Sequence, residues 1–269
     1  MTKQALATNQ KKIAELESIR GLAALLIVIF HLPHWDRSFD IGIIRNGYLM
    51  VELFFVLSGF VIYSAYSDKI GSQKDLLRFQ FLRFGRLYPV HLLFLVVYIF
   101  IELAKYFAQQ KLGISSPNTQ PFRENNLGAL VQHIFLIQAI GPTGDAETFN
   151  GPAWSISVEF YTYLIFGLVV LRFSKFKSHV FLAIFVISLL LLVSRNTFGF
   201  DSLLRCFAGF FLGCMVAYTK EKTSFTFPNY APLLAFALLA IFLAFKSSSE
   251  YDFAIFFLTA FLIFSLVST

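Results

Sequence analysis

Ionisable side chains inside long apolar runs are expensive to keep there, so each marks a place where chemistry could be done. Arg20 and His31 share one such run, eleven residues apart. That is just over three helical turns, which puts both on one face about 16 Å apart along the axis. Glu52 follows near the start of the next apolar run, with Phe55 and Gly59 on its face. Farther on, Ser155, Glu159 and Tyr163 recur at intervals of four and make one polar stripe beginning at Trp154. Arg205 lies near the start of a later run. A histidine with two carboxylates and a guanidinium at similar depth is the composition of an acid–base centre. A charge network that braces the bundle is the other reading of the same residues.

A second group is basic. Arg78, Arg83 and Arg86 precede Tyr88-Pro89, and the spacing of Arg83 and Arg86 gives one cationic face. Such a pair suits phosphate groups, and contact with anionic lipid is the alternative. His34 reads as interfacial, and His91 as lining an entrance on the basic side. His179 begins a helix, and His133 sits where it could touch an acceptor. Cys206 and Cys214, eight apart in one apolar segment, match neither a metal site nor a disulfide framework, and no metal is expected.

The elements that must carry these residues are helices in a membrane. Hydrophobic residues make up 57% of the chain and charged residues only 14%, against about 25% charged in a soluble domain. The hydropathy pattern predicts an all-α integral membrane fold: one polytopic helical bundle over residues 1–269, with about eight crossings. The expected helices cover 14–35, 48–66, 87–107, 154–172, 179–193, 203–218, 231–245 and 253–269. A ninth stretch, 127–140, is short for a span of roughly 20 residues and reads as a non-crossing or re-entrant segment. With that stretch left on one side, 14 Lys and Arg fall on the side of the N-terminus and of residues 67–86, against 7 opposite. The positive-inside rule then makes the N-terminus cytoplasmic, in a plasma or inner membrane, and places His31, Glu52, Glu159 and Arg205 together in the outer third. The net charge of +6 lies in these clusters between apolar runs, which argues against nucleic acid.

Several of these residues stand in a pattern that resembles acyltransferase family 3, the membrane O-acyltransferases. The pattern runs from Arg20 and His31 through Phe54-Phe55-Val56-Leu57-Ser58-Gly59-Phe60 to Arg83, Arg86 and Pro89. It continues with Trp154-Ser155-Ile156-Ser157-Val158-Glu159 and Tyr163, then Arg205 with Phe210 and Gly213. The resemblance implies transfer of an acyl group, in the first place acetyl, from cytoplasmic acyl-CoA to a hydroxyl of a cell-surface or secreted glycan. Acyl-CoA would be a co-substrate, with no permanently bound cofactor. It implies His31 as the catalytic histidine, and Arg20, Arg83 and Arg86 as donor-handling residues. Glu159 and Arg205 occupy motif positions whose roles are less settled. Joined to the reading of the residues, Glu52 or Glu159 would orient the imidazolium, and direct attack and an acyl-histidine relay both stay open. Phe160 stands where many members carry a second acidic residue. The chain is expected to stop before the last helices of the family core. A proton-coupled transporter and a non-catalytic family member are the competing functions.

Overall fold

The computed structural model describes residues 3–32, 41–114 and 119–269, with side chains described from residue 14 onward. The described residues form helices, turns and loops, with no strand among them. In chain order the helices are α1 (Lys3–His31), α2 (Gly42–Arg45), α3 (Met50–Tyr66), α4 (Gln73–Leu112), α5 (Leu127–Ile134), α6 (Trp154–Arg172), α7 (Lys177–Val193), α8 (Asp201–Lys222), α9 (Ala231–Phe245) and α10 (Ala254–Val267). Among the described residues, four elements are long and apolar enough to cross a membrane: Gly47–Tyr66, Gln73–Leu112, Gly151–Arg172 and Asp201–Lys222. α7, α9 and α10 are shorter apolar helices. This is a polytopic helical membrane protein.

The expected boundaries hold at α6 and α9, where apolar runs end sharply at polar residues. Two expectations are corrected. α1 starts at Lys3 rather than residue 14, and positions 33–35 of its expected end, His34 included, lie outside the described residues. α4 is one 40-residue helix, so the expected loop at 67–86 is mostly helical. Its start is set by Ser72, whose side chain accepts the Asp75 backbone N–H, a helix N-cap with an acidic first turn. The arginines that interrupt its hydropathy alternate with Leu76 and Phe79, which are buried. At 1.5 Å per residue α4 is about 60 Å long, roughly twice a hydrocarbon core. α5, by contrast, is about 12 Å long and cannot cross.

The chain forms two compact units. The first comprises residues 1–67, 176–195 and 207–269, and the second 68–175 and 196–206, so α8 begins in the second and ends in the first. In the first unit, α10 packs on α9 and α3, and α1 packs on α3 and α10. α3 and α8 cross with their backbones almost touching. A Cβ at Gly59 would overlap the Phe210 carbonyl, and one at Gly213 would overlap the Val56 carbonyl. Gly209 and Gly213 are four apart on α8, the small-xxx-small spacing that lets membrane helices approach closely. Phe55, Phe210, Phe211 and Phe256 fill the core around this crossing.

In the second unit α4 and α6 run antiparallel. Leu76 meets Gly167, Phe79 meets Phe166 and Tyr163, and Phe84 meets Phe160. The C-terminal end of α5 is fastened between these helices. A helix end leaves its last carbonyls without intrahelical donors, a severe cost away from water. Four consecutive carbonyls are met by side chains: His133 by His91 Nε2 at 2.9 Å, Ile134 by the Tyr88 hydroxyl at 3.1 Å, Phe135 by the Tyr161 hydroxyl at 2.9 Å, and Leu136 by the Ser157 hydroxyl at 2.6 Å. Two donors come from α4 and two from α6.

Candidate functional site

His31 closes α1, and its ring is exposed. Its Nδ1 lies 2.8 Å from the carbonyl oxygen of Ile27, one turn back. A carbonyl can only accept, so Nδ1 carries the proton, and in the neutral ring Nε2 holds the lone pair. The tautomer is therefore set by the helix itself, and the basic nitrogen is the one pointing away from it. Phe30 packs edge-on against the imidazole at 5.0 Å. Eleven residues earlier on the same helix, Arg20 donates to Glu17 Oε1 at 2.5 Å, a partner that the sequence reading did not assign. Glu52 lies in the first turn of α3 and is 2% exposed. The backbone of its turn lies against Gly209, so the α3–α8 crossing fixes where this carboxylate stands.

The same unit holds a polar cluster that sequence reasoning missed. Lys246, its side chain 4% exposed, forms an ion pair with Asp252 Oδ1 at 2.7 Å and donates to the Tyr48 hydroxyl at 2.9 Å and Asn46 Oδ1 at 3.1 Å. Tyr48 in turn donates to Asp252 Oδ2 at 2.8 Å. Burial works to lower the Lys246 pKa, but Asp252 and Tyr48 outweigh it and hold the ammonium above its ordinary value. Hydropathy reads Lys246 as an orientation charge, and two of its partners, Asn46 and Tyr48, lie about 200 positions away in the chain, so no local pattern could expose them.

The second unit carries the other expected residues. The Tyr163 hydroxyl donates to Glu159 Oε1 at 2.5 Å, so these two stripe positions do act together. Ser155, the third, instead donates to the Pro152 carbonyl at 3.2 Å and is engaged with its own helix start. The Tyr163 ring meets Phe79, and the Arg83 guanidinium lies over the same Phe79 ring at 5.8 Å. Arg83 is thus drawn into the α4–α6 interface, half-buried, while Arg86 is exposed. The two arginines share a helix but differ in exposure. Arg205 stacks on Trp154 at 4.8 Å, a cation–π contact that joins two motif positions.

His91 and His133 are also placed differently from expectation. Neither lines an opening: both are buried, their rings parallel and 5.6 Å apart. His133 Nε2 faces Thr148 Oγ1 at 3.0 Å, and Thr148 itself donates to the Asp145 carbonyl, so His133 is the donor. Burial, and after it the neighbouring His91, lowers the His133 pKa to about 4. His179 is exposed beside Phe176, and both cysteines are free and buried. Cys206 lies 3.2 Å from the Thr162 hydroxyl, and Cys214 lies 3.5 Å from the Gly59 carbonyl, which are packing contacts.

The acyltransferase domain of family 3 matches residues 13–269. Protein 2 in the picA locus of Rhizobium radiobacter is 33% identical over 161 residues, 56% of this chain and 79% of that protein. The acyltransferase MdmB of Streptomyces mycarofaciens is 30% identical over 166 residues, 58% of this chain and 39% of MdmB. The O-acetyltransferase OatA of Staphylococcus aureus is 29% identical over 225 residues, 76% of this chain and 34% of OatA. The chain therefore spans only about a third of the length of the last two. No solved structure matches. With a family match running from residue 13 to residue 269 over an all-helical membrane fold, the chain belongs to acyltransferase family 3.

Proposed function

We propose that this protein transfers an acyl group, in the first place acetyl, from cytoplasmic acyl-CoA to a hydroxyl of a cell-surface or secreted glycan, with the N-terminus cytoplasmic. The observation that carries the reading is the His31 tautomer: with Nδ1–H committed to Ile27, Nε2 is a preset base at the end of α1. As the acceptor oxygen attacks the thioester carbonyl, Nε2 takes the hydroxyl proton. When the C–S bond breaks, that proton passes to the departing sulfur, and the imidazole returns to its starting form. The products are an ester and free thiol, so no other reactant is needed.

Glu52 is the carboxylate of the same unit suited to favouring the imidazolium, and the Glu159–Tyr163 pair is the polar centre of the second unit. Arg20, Arg83 and Arg86 are assigned to the donor's phosphates on chemical type. Acyl transfer is supported by the family, and acetyl transfer to an oxygen by the name of the OatA relative, an O-acetyltransferase.

His31→Gln tests the proposal, because glutamine has similar reach but cannot take the proton. Membranes carrying the correctly inserted variant, given labelled acetyl-CoA, should label the glycan fraction about 10²–10⁴-fold more slowly than wild type. Near-normal turnover would make His31 a structural residue and remove the mechanism.

A further inference from the structure

The turn that joins α2 to α3 is wedged between the end of α9 and the end of α1, all within the first unit. On the α9 side, a Cβ at Gly42 would overlap the Ala244 carbonyl, so the two backbones are in contact. Asn46 donates through Nδ2 to the carbonyls of Leu243 at 2.9 Å and Lys246 at 3.0 Å, closing the open end of α9. On the α1 side, a Cβ at Gly47 would come within 3.2 Å of both Leu26 and Phe30, and the Tyr48 ring meets Phe30 at 5.8 Å. Phe30 is the residue that packs on His31.

Tyr48 has little freedom in this wedge. Its hydroxyl accepts from Lys246 and donates to Asp252, and its ring carries the Lys246 ammonium at 5.2 Å. The Lys246 ammonium has three side-chain oxygens within 3.1 Å, those of Asp252, Tyr48 and Asn46. Lys246 is buried and Asp252 only partly so, and such a pair adds little stability of its own, because taking the ammonium out of water offsets the attraction. What it supplies is a single geometry, since any other placement leaves a charge without its partner.

We propose that Tyr48, clamped by Lys246 and Asp252, is a positioning residue for His31. The clamp holds the last turn of α1, through Phe30, so that the Ile27 carbonyl keeps Nδ1–H and Nε2 faces one direction. The proposal rests on the reading of His31 as the base.

The test replaces the ion pair as a unit, Lys246→Met with Asp252→Leu, in the full-length chain in membranes. A clamp that positions predicts a thermal midpoint within a few degrees of wild type, an unchanged KM for the acyl donor, and kcat lowered at least tenfold. Nitrogen shifts of labelled His31 should change from one Nδ1–H tautomer to a mixture. If kcat stays within twofold of wild type, or falls while the tautomer stays single, the clamp is a brace only and the proposal fails. Should the double variant not fold, Tyr48→Phe decides. It removes only the hydroxyl, and the same loss of kcat with the same mixed tautomer is expected of it, with unchanged values overturning the proposal. Failure of the underlying reading shows separately, as normal turnover in His31→Gln.

Discussion

At the scale of single residues, what matters is which hydrogen bonds have already committed a side chain before any substrate arrives. His31 and His133 are both committed, in opposite senses. His31 gives Nδ1–H to its own helix at an exposed end, which leaves Nε2 reachable. His133 gives Nε2–H to Thr148 in a buried place where a second proton is disfavoured. Sequence could name His31 from its register with Arg20, but it could not tell a committed imidazole from a free one. It placed His133 near an acceptor because burial is decided by α4 and Phe149, not by its neighbours in the chain. The buried state has an acid signature. The His133 pKa is about 4 in the closed structure, against an ordinary value of 6.5. Between those values the opened segment binds a proton that the closed one does not, so closure weakens as pH falls through that window. The opening free energy of residues 127–140, from amide exchange corrected for intrinsic rate, should be constant above pH 6.5 and drop from there toward pH 4. A flat profile across the window would show that His133 does not control the segment.

Among elements, the approach of α3 and α8 decides where Glu52 stands. Both helices were readable from hydropathy, and Gly59 and Gly213 were readable as motif positions, yet their use as a contact surface was not. Two glycines on different helices carry no sign that they face each other. Substituting Gly213→Ala puts a methyl group into the Val56 carbonyl, and neither backbone can yield without moving its helix. Overpacking of this kind costs about 1–3 kcal/mol. The variant should show a lowered thermal midpoint in detergent, and a Gly71→Ala control, where a Cβ meets nothing within 4 Å, should not. Equal midpoints would show that the crossing has room for a methyl group. α4 teaches a related lesson from the other direction. Three arginines made its first turns look like a loop, whereas Ser72 at its cap and the burial of Leu76 and Phe79 make them helical. Hydropathy measures affinity for lipid, and a helix face that buries apolar groups against a neighbour can carry arginines beside them.

For the whole molecule, the shortness of α5 bears on which side each segment faces. Residues 108–153 are expected outside without a crossing. A cysteine replacing the exposed Asp145 should react with an impermeant thiol reagent added from outside, over a silent background, because Cys206 and Cys214 are buried. Labelling only from the cytoplasmic side would invert the topology. The fastening of α5 also has a consequence for how the protein is made. Of the four side chains that hold its terminal carbonyls, Tyr88 and His91 are synthesised before it, and Ser157 and Tyr161 after it. Tyr161 leaves the ribosome 25 residues behind Leu136, a wait on the order of a few seconds at ordinary elongation rates. During that wait the segment is half-fastened and cannot settle at membrane depth at low cost. The insertion machinery must therefore shelter it, or leave it in water, until α6 is delivered, so α5 takes its place only after the helix that follows it.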